Sequence, residues 1–168
     1  MSADYEGTVE QVHRAFSDEH YWLARLADSG ADDATLESMR VGGPSGLDGS
    51  INVVTTQVLR ADRLPGIVTQ FHRGDLVIRR EEKWEPVAAG VTNATILGSI
   101  QNAPVTLSGT ALLAPTPQSG GARLKLRATV EVRIPLVGGK IENFIGNQLV
   151  ELLIAEQRFT TIWISENA

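Results

Sequence analysis

A cleanly alternating segment, Leu124 to Ile134, breaks at Pro135-Leu136-Val137-Gly138-Gly139 and hands the chain to one long amphipathic helix. Leu124, Leu126, Ala128, Val130, Val132 and Ile134 point one way, and Arg123, Lys125, Arg127, Thr129, Glu131 and Arg133 the other. Strict alternation marks a sheet buried on one face and wet on the other. The helix that follows supplies the cover. At ~100° per residue, Ile141, Phe144, Ile145, Leu149, Leu152, Phe159, Ile162 and Trp163 form one wide apolar arc, with Glu142, Asn147, Glu151 and Arg158 outside it. Val137 to Ser165 would span roughly 43 Å at 1.5 Å per residue, enough to cross a whole sheet.

Upstream, Thr8 with Gln11 three residues on forms a capping box, and Val9, Val12 and Phe16 follow at helical spacing. Asp18 caps a second helix carrying Tyr21, Trp22, Leu23 and Leu26, which ends at Ser29-Gly30. A short strand around Tyr5 precedes both. From Thr35 the pattern turns to period two or β-branched runs. Strands are expected at 35–41, 50–60, 76–85, 93–101, 105–114 and 122–134, separated by turn-rich segments such as Gly42 to Gly46 and Pro115 to Gly121. Such close spacing favours antiparallel hairpins. Leu64 to Phe71, with Pro65 near its start, reads as a short helical insert whose Ile67, Val68 and Phe71 either cap a cavity mouth or plug the core.

The 168 residues fit one domain, 1–168, with ordinary hydrophobic (42%) and charged (21%) fractions. A net charge of -5 and a pI near 5.2 argue against nucleic acid, which needs a basic face. Cysteine is absent, which excludes disulfides and thiolate chemistry. Met1 to Glu10 lacks the apolar stretch of a signal peptide, and no run is long enough to span a bilayer, so no stable membrane insertion and a cytoplasmic location are expected.

The order strand, two short helices, six strands and a long C-terminal helix resembles the helix-grip fold of the START-like (SRPBCC) superfamily. The chain is most similar to an uncharacterised bacterial family within that group. The similarity rests on Asp18-Glu19-His20-Tyr21-Trp22, Leu64-Pro65, Glu82-Lys83-Trp84, Asn102-Ala103-Pro104-Val105 and, most specifically, Ile134 to Glu142. The resemblance implies an α+β fold, with a curved antiparallel sheet of about seven strands around the terminal helix. It also implies a hydrophobic cavity between them, but no catalytic signature and no cofactor.

Candidate site residues follow from polarity in apolar places. Gln148 and Glu156 fall within the helical arc. Burying a carboxylate unpaired costs several kcal/mol by order of magnitude. Glu156 therefore keeps its head in solvent at the arc's edge, anchors a ligand on the cavity wall, or enters a buried ion pair. On 76–85, Leu76, Ile78, Arg80, Glu82 and Trp84 share one face, so Arg80 and Glu82 project toward the concavity beside Trp84. Arg80 is either half of a cross-strand ion pair or a planar donor for a carboxylate or phenolate. The expected lining is Arg80, Glu82, Trp84, Phe144, Gln148, Leu152, Glu156 and Phe159. His13, His20 and His72 have no metal-ligand spacing, and Asp28, Asp32 and Asp33 lack the rest of a calcium loop. Three readings stand: a non-catalytic carrier of a small hydrophobic molecule such as a lipid or polyketide-like compound, a cyclase- or hydratase-type enzyme using Glu156, Glu82 or Arg80, or a ligand-free module dimerising through Val150 and Ile154.

Overall fold

A computed structural model describes residues 1–43, 49–70, 72–117 and 120–167. Strand β1 (Ser2–Tyr5) is followed by helices α1 (Val9–Phe16) and α2 (Glu19–Asp28). Then come β2 (Asp33–Val41), β3 (Ile51–Leu59), a 3-10 turn (Ala61–Arg63) and α3 (Gly66–Thr69). Strands β4 (Leu76–Trp84), β5 (Thr92–Ile100), β6 (Val105–Pro115) and β7 (Ala122–Val132) lead into α4 (Gly138–Asn167). The strands form one antiparallel sheet in the order β1-β7-β6-β5-β4-β3-β2. Because β1 and β2 are opposite edges, α1 and α2 must bridge the full width of the sheet. They close one end of its concave side.

The local signals act as expected. Gln11 N–H donates to Thr8 Oγ1 at 3.1 Å while Thr8 N–H donates to Gln11 Oε1 at 2.8 Å. Asp18 Oδ1 accepts from His20 N–H at 2.9 Å. Past Ser29, Gly30 takes φ +78°, the left-handed conformation that stops a helix. Val68 of the short insert is buried and Ile67 packs beside Ile134, Ile141 and Ile145, while Phe71 lies outside the described residues, as does Pro44–Asp48 of the Gly42 to Gly46 turn.

Two hydrophobic clusters hold the sheet to its cover. The larger joins α1, α2 and the C-terminal half of α4 to one end of the sheet through Val12, Phe16, Tyr21, Trp22, Trp84, Leu113 and Leu153. The smaller gathers Val105, Val132 and Ile141 around the start of α4. The backbone of α4 runs closest to β7 and β1, the last strand before it and that strand's edge partner.

The orientation of α4 departs from the expected arc. Its buried positions are Gly138, Ile141, Leu153 and Thr160, while Leu152 and Ile162 are 41% and 56% exposed and Gln148 faces solvent. Hydropathy alone would centre the inward face near Ile141, Leu152 and Phe159. Ile141 keeps that direction, but in the C-terminal half two polar contacts, from Glu156 and Thr160, shift the inward face by roughly a quarter of a revolution at ~100° per residue. Among the described residues no helix is long and apolar enough to cross a membrane.

Candidate functional site

Where α2, β4 and α4 converge, four charged side chains meet. Glu156 on α4 receives both arms of Arg80 from β4, with Nη1 to Oε1 at 2.5 Å and Nη2 to Oε2 at 3.1 Å. Arg25 on α2 donates to the same Oε2 through Nη2. Glu82, two residues from Arg80 on the same face of β4, lies 3.3 Å from Arg80 and 3.9 Å from Arg25. The cluster is neutral overall. Its side chains are 6% (Glu82), 11% (Arg25), 15% (Glu156) and 22% (Arg80) exposed, so it sits inside the grip.

A relay of hydroxyls extends it. Thr160 Oγ1 donates to the Glu156 carbonyl at 2.8 Å, which leaves that oxygen to accept from Tyr21 Oη at 2.6 Å. Tyr21 Oη in turn accepts from Arg25 Nη1 at 3.3 Å. The Arg25 guanidinium also lies 4.7 Å over the Trp22 ring, a cation–π arrangement. Burial alone would raise the Glu156 carboxyl, but the charges and donors of Arg25 and Arg80 outweigh it and hold it at about 2. Burial would lower the Arg80 guanidinium; Glu156 and Glu82 prevail and raise it. Arg25 is raised for the same reason, Glu156 being its strongest partner. Burial pushes up the phenols of Tyr5 and Tyr21, and the Tyr5 phenol senses Tyr21, Arg25, Glu156 and Glu82 across the same interior. At neutral pH both arginines and Glu156 are therefore charged. A carboxylate held this way is a weak base, poorly suited to proton abstraction.

Of the residues singled out from sequence, Arg80, Glu82 and Glu156 come together. Arg25, Tyr21 and Thr160 complete the arrangement. Arg25 was legible in principle, because it lies three residues from Trp22 and four from Tyr21, on the buried face of α2. Trp84 is a core residue, 2% exposed, with its ring 5.0 Å from Phe16 and its Nε1 unpaired. Phe159 is half-buried, 5.8 Å from Tyr21 and 6.5 Å from Trp163. Phe144 is half-buried, whereas Gln148 and Leu152 lie on the solvent-accessible flank of α4 rather than its inward face.

Between the two packed clusters the inner face of the sheet carries two glycines, Gly98 and Gly109, among the apolar side chains of Ile96, Leu107, Leu126 and Val130. Gly98 pairs with Leu107 across β5 and β6, and Gly109 with Ala128 across β6 and β7. At Gly109 a Cβ would stand 2.8 Å from the Arg127 carbonyl, so backbone crowding itself requires glycine there. These residues, with Arg80, Leu126 and Val130, are only half-buried, whereas Trp84, Ala94, Ala111 and Leu124 toward one end and Val105 and Val132 toward the other are buried. The middle of the inner face is thus a half-buried apolar strip of sheet, with Arg80 of the ionic cluster among its residues. Two open clefts lie elsewhere. One of about 480 Å³ runs between Ser17, Glu19 and the outer part of β2, and one of about 260 Å³ lies by His72, Arg73 and Asn102. Among the described residues no group of three histidine or carboxylate side chains is placed to hold a metal ion. His13 Nε2 bonds the Glu85 carbonyl at 3.0 Å, His72 Nε2 the Asp75 carbonyl at 2.8 Å, and His20 is exposed.

Solved structures share this architecture at low sequence identity. A protein from Thermus thermophilus, TTHA0849, superposes with a TM-score of 0.63 at 14% identity, covering 100% of this chain and 97% of that one. A conserved protein from Geobacillus kaustophilus gives 0.57 at 13%, over 98% and 93%. Ara h 8.0201 gives 0.54 at 11%, over 99% and 96%. These likenesses show the fold, a helix-grip arrangement of curved sheet and terminal helix. In sequence, the chain is 61% identical over 167 residues to "Uncharacterized protein Rv0481c" of Mycobacterium tuberculosis, covering 99% of this chain and 96% of the relative. "Uncharacterized protein Mb0491c" of Mycobacterium bovis matches to the same extent. The family model described as "Protein of unknown function (DUF2505)" matches residues 1–164, and the chain belongs to that family.

Proposed function

We propose that this chain binds a small hydrophobic molecule, lipid or polyketide-like, along the strip beside α4, and that it does so without catalysing a reaction. The observation that carries the reading is the half-buried middle of the inner sheet face around Gly98, Gly109 and Ala128, set between two packed clusters. An apolar floor with a few convergent polar groups is the usual composition of a small-molecule site. Phe144, Gln148 and Leu152 form the α4 wall in this reading. The Arg80–Glu156 edge, the most exposed part of the ionic cluster, receives the polar end of the ligand. Trp84, Phe159 and Glu82 stand behind the lining and brace it. Whole-length likeness to helix-grip structures supports placing the family in the START-like superfamily, whose common trait is a cavity in this position. A hydratase or cyclase role is disfavoured because both Glu156 oxygens are already committed to guanidinium groups.

Ala128→Leu fills the low point of the floor without adding charge. The wild type should enhance the fluorescence of an anilinonaphthalene sulfonate probe and release it to long-chain fatty acids, and Ala128→Leu should lose most of both effects while keeping its circular dichroism. Native mass spectrometry of protein purified from cell extract should show an adduct in the wild type alone. Absence of probe binding and of any adduct in the wild type, or identical behaviour of the two proteins, would overturn the reading.

A further inference from the structure

We propose that the turn Pro135–Val137 is a docking tip that rests on an anionic membrane surface. Val137 N–H donates to the Pro135 carbonyl at 2.9 Å, and Leu136 between them has φ +72°. This is the γ-turn with a left-handed central residue, rare and strained for any residue with a Cβ, where glycine would fit without cost. The residue held there is a leucine, 103% exposed, with Val137 beside it at 38%. A strained backbone that lifts a large apolar side chain wholly into water gains nothing for the fold.

The surroundings identify the occupant. Lys140 is exposed and makes no ion pair among the described residues, and Arg133 is exposed with only a 3.7 Å surface contact to Glu131. The β5–β6 turn lies alongside through Arg133 N–H to the Pro104 carbonyl, and Arg73 stands across the neighbouring cleft from Asn102. The nearest acid on α4, Glu142, is turned inward to accept from Val132 N–H at 3.1 Å. In a chain of net charge -5, the tip presents two aliphatic side chains with the exposed Arg133 and Lys140 two and three residues to either side, Glu131 and Asp75 being the exposed acids nearby. That composition suits the interface of a bilayer bearing anionic headgroups better than an apolar protein groove. Ile134 and Ile141, which flank the tip, pack with Ile67 and Ile145 at one end of the strip. The tip therefore lies where a ligand passing between membrane and strip would travel, although the membrane contact does not depend on the ligand reading.

The test is co-flotation with vesicles of phosphatidylcholine containing about one third phosphatidylglycerol. The wild type should float at low salt, detach at high salt, and ignore pure phosphatidylcholine. Leu136→Asp should lower partitioning by about tenfold and Lys140→Ala by about fivefold. Leu136→Gly relieves the strained turn, so it should be at least as stable as the wild type and still bind vesicles more weakly, which separates docking from folding. Failure of the wild type to float at millimolar lipid, or equal flotation of the wild type and Leu136→Gly, would overturn the proposal. So would a concentration-dependent dimer lost in Leu136→Gly without vesicle binding, which would assign the tip to a second copy. Vesicle binding that persists while the fluorescent probe fails would leave the tip intact and remove only the strip reading.

Discussion

Replacing Glu156 by glutamine isolates the energetics of the buried ionic cluster. In the wild type, Glu156 faces two guanidinium groups and Glu82 balances the remaining charge. Glutamine leaves two arginines opposite one carboxylate in a mostly dry interior. Removing one partner of a buried pair typically costs about 3–5 kcal/mol. A second route gives a similar figure. A carboxyl lowered from 4.5 to about 2 on folding contributes roughly 3 kcal/mol, at ~1.36 kcal/mol per tenfold change in proton affinity. The sign follows from the depressed value. The contribution is complete above the unfolded carboxyl's value of 4.5 and is lost as pH falls toward 2. Urea unfolding followed by tryptophan fluorescence should therefore show Glu156→Gln destabilised by about 3 kcal/mol at pH 7, with the gap to the wild type shrinking steadily below pH 4.5. Arg25→Met with Glu156→Gln should cost less than the two single changes added, because the Arg80–Glu82 pair is left balanced. A loss under about 1 kcal/mol at pH 7, or a gap that does not change with pH, would refute the reasoning.

Two further outcomes follow from particular contacts. A Cβ at Gly121 would clash with the Tyr5 carbonyl, so Gly121→Ala should push β1 from β7; hydrogen exchange at Ser2–Tyr5 should accelerate markedly while β4 and β5 keep their protection. His13 is half-buried with its Nε2 on the Glu85 carbonyl, and burial lowers its imidazole below the usual value of 6.5 more than that contact raises it. Proton NMR should find His13 titrating below 6.5, and protonating it should cost stability only as pH falls below 6.5.

Much of the architecture was legible because it depends on short-range periodicity. The alternation at 124–132 set the sidedness of the sheet, Thr8, Gln11 and Asp18 marked where α1 and α2 begin, and Gly30 marked where the second one stops. The inward direction of Arg80 and Glu82 follows from the same period of two. The rotation of α4 was not legible. Its hydropathy spreads over a wide arc, and apolar burial has no direction that would choose between Leu152 and Leu153. Hydrogen bonds do have one, and those of Glu156 and Thr160 settle the angle.

Sequence by itself therefore determined which elements form, their order, and which face of each strand is apolar, because those properties repeat at fixed intervals along the chain. Tertiary structure alone decided that Arg25, 131 residues before Glu156, meets it and Arg80 in one neutral cluster. It also decided that Leu136 stands in solvent and that the sheet's inner face stays half-buried around Gly109 and Ala128. Each of these depends on groups brought together from distant elements, and charge neutrality and close packing are satisfied only in three dimensions.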